Sequence, residues 1–124
     1  MIDHLGLEVR DYLRSKDFYL AALVPLGIEL LIEFESRVGG FGRAGKPFFW
    51  IREGEPAAGI HVAFAAPDTD SVDAFYAAAI GAGGEDNGPP GLRVQYHPGY
   101  YGAYVLDPDG NNVEAVHHGD PSQL

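Results

Sequence analysis

The feature that most constrains this chain is an internal repeat. "HLGLEVRDYLRSKDFY" near the start and "HVAFAAPDTDSVDAFY" in the middle share one layout. A shift of 57 positions lays His4 on His61, Asp11 on Asp68, and Phe18-Tyr19 on Phe75-Tyr76. Ala21-Ala22 then falls on Ala78-Ala79, and Gly27 on Gly84. A fixed-period repeat dictates architecture before any other signal does. The fold has to be one unit used twice.

Each half reads alike. Leu5, Leu7 and Val9 alternate with His4, Gly6 and Glu8, and Ile60, Val62 and Phe64 alternate with His61, Ala63 and Ala65. A period of two marks a strand with one buried face. A helix follows. In the second half its stripe is Val72, Phe75, Tyr76, Ala79 and Ile80, with Asp68, Thr69, Asp70 or Ser71 as cap. Gly27 and Gly83-Gly84 supply the stops. Further extended runs are predicted at 28–34, 37–42 and 48–52, weakly near Glu85, and at 101–106 and 112–117. "VGGFGRAGK" and "DNGPPG" read as turns, and "DPDGNN" as the connection of a hairpin. The prediction is a single α+β domain over 1–124, with module one at about 1–56 and module two at about 57–119.

The helix must cover the apolar face of each first strand, so His4 and His61 belong on the opposite face. Tiny side chains, Gly6 and Ala63, follow them at two residues' distance, which suggests a cleft. In "GNNVEAVHH", Val113 and Ala115 suit the helix side, which puts Asn112, Glu114 and Val116 with the histidines. Two imidazoles and a carboxylate from three strands are a facial ligand set for a divalent cation, with positions left open for substrate. His117 shares the parity of Val113, and His117 and His118 read as a solvated tail.

Other features set limits. There is no cysteine, so thiolate sites and disulfides are excluded. The net charge is −10, from 18 acidic and 8 basic residues, which disfavours nucleic acid and anionic membranes. No apolar run is long enough to span a bilayer and no signal peptide is legible, so a cytoplasmic protein is expected. "VGGFGRAGK" lacks the Lys-Ser/Thr ending of a phosphate loop.

"HLGLEVRD…SKDFY" and "DPDGNNVEAV" together resemble the vicinal oxygen chelate superfamily, which includes glyoxalase I, fosfomycin and bleomycin resistance proteins, and extradiol dioxygenases. The resemblance covers nearly the whole chain. It implies paired βαβββ modules forming a cupped mixed sheet with helices on its outer face. It also implies that His4, His61 and Glu114 fill three of the family's four metal positions. Aligning Gly45 on Gly110 sets Phe49 on Glu114, where glyoxalase I has its glutamate ligand and base. A phenylalanine there argues against glyoxalase I chemistry. The His, His, Glu set is similar to that of the extradiol dioxygenases.

The implied function is a divalent-metal enzyme (iron, manganese, nickel or zinc) acting on a small molecule with vicinal oxygens. The alternative is a metal-free drug-binding protein of the bleomycin-resistance type. Within "GLRVQYHPGYYGAY", His97 is a candidate acid–base and Tyr101 a candidate hydrogen-bond donor to an oxyanion. Phe49, Trp50, Tyr100 and Asn112 are candidate substrate contacts. Unpaired sheet edges predict a homodimer, with no nucleic-acid or membrane partner.

Overall fold

A computed structural model describes residues 1–119. Module one runs β1 (Leu5–Val9), α1 (Tyr12–Leu23), β2 (Glu29–Phe34), β3 (Val38–Arg43) and β4 (Lys46–Glu53), with a 3-10 turn Val24–Leu26 closing the helix. Module two runs β5 (His61–Ala65), α2 (Thr69–Gly81), β6 (Glu85–Leu92), β7 (Tyr101–Leu106) and β8 (Asn112–His117). The strand orders are β1-β4-β3-β2 and β5-β8-β7-β6. Within each sheet the first strand runs parallel to the last, and the remaining pairs are antiparallel. These are two βαβββ modules of an α+β fold, as the repeat requires.

The repeated residues have repeated tasks. Asp11 and Asp68 are the N-caps, accepting from the backbone N–H of Arg14 and Ser71. Phe18 and Phe75 are fully buried. Both helices press on one shared core, in which Phe49 of β4 meets Phe64 of β5 edge-on with ring centroids 5.1 Å apart. Each sheet therefore turns its helix-bearing face inward and its other face outward. The second repeated residue has diverged: the Tyr19 hydroxyl donates across the modules to buried Asp107 at 2.5 Å, whereas Tyr76 donates to Asp86 at 3.0 Å. Asp107 also accepts from the backbone N–H groups of Asp109 and Asn111. The "DPDGNN" turn is thus both hairpin and latch.

Two turn assignments are corrected. Gly39, Gly40 and Gly42 lie within β3, and only Ala44-Gly45 turns the chain. Gly39 and Gly40 make room for aromatic side chains: a Cβ on Gly39 would stand 2.5 Å from the Tyr12 hydroxyl. "DNGPPG" lies in β6, an edge strand whose prolines need no inner ladder partner and whose register is broken by bulges.

Candidate functional site

The outward face of the second sheet can be built from its register. Ala63, Glu114, Tyr104 and Gly88 form one row across β5, β8, β7 and β6. Glu114 is 1 % exposed, although it lies on the face away from the helices. His61 Nε2 lies 2.8 Å from its Oε1. The Tyr100 hydroxyl donates to its Oε2. Burial first, and then that hydrogen bond, push the Tyr100 pKa far above that of free tyrosine, so the hydroxyl stays a donor. Burial likewise raises Tyr104, whose ring is 6.4 Å from that of His61 and carries the Arg93 guanidinium over its face.

A buried carboxylate normally finds a full positive partner, since desolvation penalises its charge. Among the described residues Glu114 meets no Lys or Arg, only one imidazole and one phenol. Its facing imidazole nitrogen is at a separation that two ligands of one ion also adopt, given bonds of about 2.0–2.3 Å. Both donors are of a kind that a divalent cation accepts, and among the described residues no third His, Asp or Glu joins them.

The remaining sequence candidates are distributed as follows. His4 precedes β1 with a side chain 62 % exposed, and its Nδ1 lies 2.9 Å from Asp3 Oδ1. Among the described residues, no three His, Asp or Glu side chains of the single chain gather at metal-holding distance, so His4 does not join His61 and Glu114 there. Asn112 pairs in register with His61 and accepts from Asn87. Tyr101 points to the helix side, donating to Asp73 of α2 at 2.6 Å, while its neighbour Tyr100 reaches the carboxylate. His97 has both ring nitrogens engaged: Nδ1 accepts from Gly99 N–H at 3.2 Å and Nε2 lies 2.9 Å from His118 Nδ1. His118 is therefore a partner of that loop rather than a free tail, and His117 Nδ1 lies 3.1 Å from the Ala66 carbonyl.

The first sheet's outward face differs because of one extra residue. β3 pairs Phe41 with Phe49 but Gly42 with Pro47, so Phe48 bulges from β4. A one-residue insertion exchanges strand faces beyond it. Leu5 opposes Phe49 as Val62 opposes Val113, and Gly6 opposes Trp50 as Ala63 opposes Glu114. The structural counterpart of Glu114 is therefore Trp50, not Phe49. Phe49 is 1 % exposed in the core, against Tyr19, Phe41 and Phe64. Trp50 faces out, lining an open cavity of about 590 Å³ with His4, Gly6, Glu8, Val38 and Arg52. Tyr104, the contributor that sequence reasoning left unassigned, was findable: counting back from the "DPDGNN" hairpin sets it opposite Glu114.

Comparison with known proteins agrees with this architecture. The family model for the Glyoxalase/Bleomycin resistance protein/Dioxygenase superfamily matches residues 1–115. A glyoxalase/bleomycin resistance protein from Albidiferax ferrireducens is 35% identical, with 93% of this chain and 97% of that one covered at a TM-score of 0.81. A mutant fosfomycin resistance protein from Listeria monocytogenes, solved with Mn(II) and 1S,2S-dihydroxypropylphosphonic acid, is 25% identical over 99% of this chain and 93% of that one, at a TM-score of 0.72. Lactoylglutathione lyase from Agrobacterium tumefaciens shares the fold at 19% identity and a TM-score of 0.67, over 94% of this chain and 92% of that one. No curated protein matches the sequence.

Proposed function

This chain belongs to the glyoxalase/bleomycin resistance protein/dioxygenase superfamily, and from that premise we propose that it is a divalent-metal-dependent enzyme acting on a small molecule with vicinal oxygens. The carrying observation is buried Glu114, faced by His61 and left without a Lys or Arg partner among the described residues. His61 and Glu114 hold the ion together with His4. Bound there, a divalent ion supplies Lewis acidity to two neighbouring substrate oxygens. Tyr100 holds the second carboxylate oxygen, and Tyr104 and Asn112 border the space in front. Iron, manganese, nickel and zinc all accept such nitrogen and oxygen donors.

His4 has to come from elsewhere than the same chain's outward face. A second copy supplies it when the first sheet of one chain closes over the second sheet of another, making a homodimer with two shared sites. Mixing His4→Ala chains with Glu114→Ala chains tests this directly. Each variant alone binds no metal, while random re-pairing restores about one quarter of the sites. Absence of any recovery after verified subunit exchange would place all ligands within one chain.

Trp50 stands where a counterpart of Glu114 would, so the first sheet offers no carboxylate base at that row. Proton abstraction beside a carbonyl needs a base within about 3 Å of the carbon. Negligible isomerisation of the methylglyoxal–glutathione hemithioacetal is expected; turnover near 10 per second would contradict it. Elemental analysis after chelator-free purification decides the main reading. About one divalent ion per chain is expected, whereas metal-free protein that still binds a drug-like ligand supports the sequestering alternative.

A further inference from the structure

Trp50 is the chain's single tryptophan, and its row across the first sheet is Gly6, Trp50, Gly40 and Ile32. A Cβ on Gly40 would stand 2.8 Å from the indole Cζ3 and 2.9 Å from Cη2. The six-membered ring therefore fills the space above Gly40 of β3, next to Ile32, whose Cγ2 would stand 2.9 Å from the same Cβ. On the far side, a Cβ on Gly6 would meet only the Trp50 Cβ at 4.0 Å, an ordinary contact. Gly6 is not needed to seat the indole; it keeps the floor beside it low. The next row holds Val38, Arg52 and Glu8, the last two joined at 3.1 Å, and it borders the same cavity of about 590 Å³.

We propose that this plate is a stacking subsite for a planar ring of the substrate. Core filling does not explain Trp50, because the adjacent Phe49 already performs that task and the indole is only half-buried. Gly6 and Gly40 put no side chain beside the ring and Ile32 borders its edge, so a flat ligand can lie against the part of the indole that lines the cavity. A puckered or branched ligand would touch only part of it. Offset stacking on an aromatic face adds attraction beyond the area covered. The cavity is of the size that takes a small organic molecule. The inference rests on the proposed function in placing this plate opposite the Glu114 cluster, so that a ring held here presents its oxygens there.

The test compares benzene-1,2-diol with trans-cyclohexane-1,2-diol, which carry the same adjacent oxygens on a flat and a puckered ring. The aromatic diol is expected to quench Trp50 fluorescence and to bind about tenfold tighter by calorimetry. Trp50→Leu brings the two diols to equal affinity, and Gly40→Ala, which lifts the indole, narrows the gap. Equal affinities in the unaltered protein, or a preference that survives Trp50→Leu, overturn the subsite. Glu114→Gln separates this from the metal reading. Retained preference for the flat diol in metal-free Glu114→Gln shows that the plate acts without the ion, and an unaltered protein that keeps this preference yet binds no metal leaves the plate standing while the metal reading falls.

Discussion

The two outward faces started as copies and now do different work. Gly6, Trp50, Gly40 and Ile32 occupy the row that in the other sheet reads Ala63, Glu114, Tyr104 and Gly88. One is an apolar row built on a single indole; the other is a buried acid with phenol and imidazole partners. The inward faces differ far less: Leu7 and Phe64, Val9 and Ala66, Ile51 and Ala115 are all apolar and buried. Packing at interior density restricts what an inward position can hold. An outward position carries no such restriction, so it can specialise. One bulge at Phe48 made the exchange possible by turning Trp50 out and Phe49 in.

The largest effect should come from exchanging chemistry between the rows. Glu114→Ala removes the proposed ligand outright, and metal affinity is expected to fall at least about 100-fold, beyond what loss of an outer-shell partner costs. Trp50→Leu should leave metal content unchanged. Equal metal loss in both variants, read by elemental analysis, would show that the halves do not divide labour this way.

Next in size is the seat of the indole. Gly40→Ala is expected to destabilise by about 1–3 kcal/mol through overpacking, because its Cβ enters the ring's space. Gly6→Ala, in the same row, should stay within about 0.5 kcal/mol. Chemical denaturation distinguishes them, and a silent Gly40→Ala would show that the ring does not lie as described.

The same rows show what a sequence can disclose. Alternation and the repeat placed His61, Glu114 and both helices, because burial writes itself into a period of two or 3.6. The bulge left no such mark. "KPFFWI" offers three adjacent aromatics, each fit for the core, and only pairing with β3 decides which one turns inward. The first two glycines of "VGGFG" likewise read as a turn until Tyr12 and Trp50 are seen against them. Whether His4 reaches the cluster depends on how sheets meet across copies, which no local pattern encodes.

A smaller contrast lies in the repeated tyrosines. Tyr19→Phe removes the hydroxyl that spans the modules and is expected to cost about 1–3 kcal/mol by leaving Asp107 short of a donor. Tyr76→Phe, whose partner is exposed, should cost less. Burial foremost, and then the Asp107 charge, raise the Tyr19 pKa well above its ordinary value. The unfolded chain releases that proton near pH 10 while the folded chain keeps it, so stability present below pH 10 is lost as pH rises. Tyr19→Phe should flatten this alkaline loss, and an unchanged slope would place its origin in other tyrosines.

The smallest expected difference is between the two helix caps, where both halves use an aspartate. Asp11 accepts one backbone N–H, from Arg14 at 3.2 Å. Asp68 accepts from both the N–H and the hydroxyl of Ser71, each at 2.7 Å. The shorter, doubled contact should make the second cap the stronger, since each donor satisfies the ionised form. Asp68→Ala is therefore expected to lower the melting temperature by about 3 °C, and Asp11→Ala by less. Acid provides a second measurement. The Ser71 hydroxyl, followed by its N–H, holds the Asp68 carboxyl below its ordinary pKa of 3.8. A depressed carboxylate stabilises the fold above that ordinary value, and the contribution is lost as pH falls through the folded one. Melting curves of Asp68→Ala and the unaltered chain should thus converge at strongly acid pH. A gap that persists there would mean the aspartate acts through packing rather than as a charged cap.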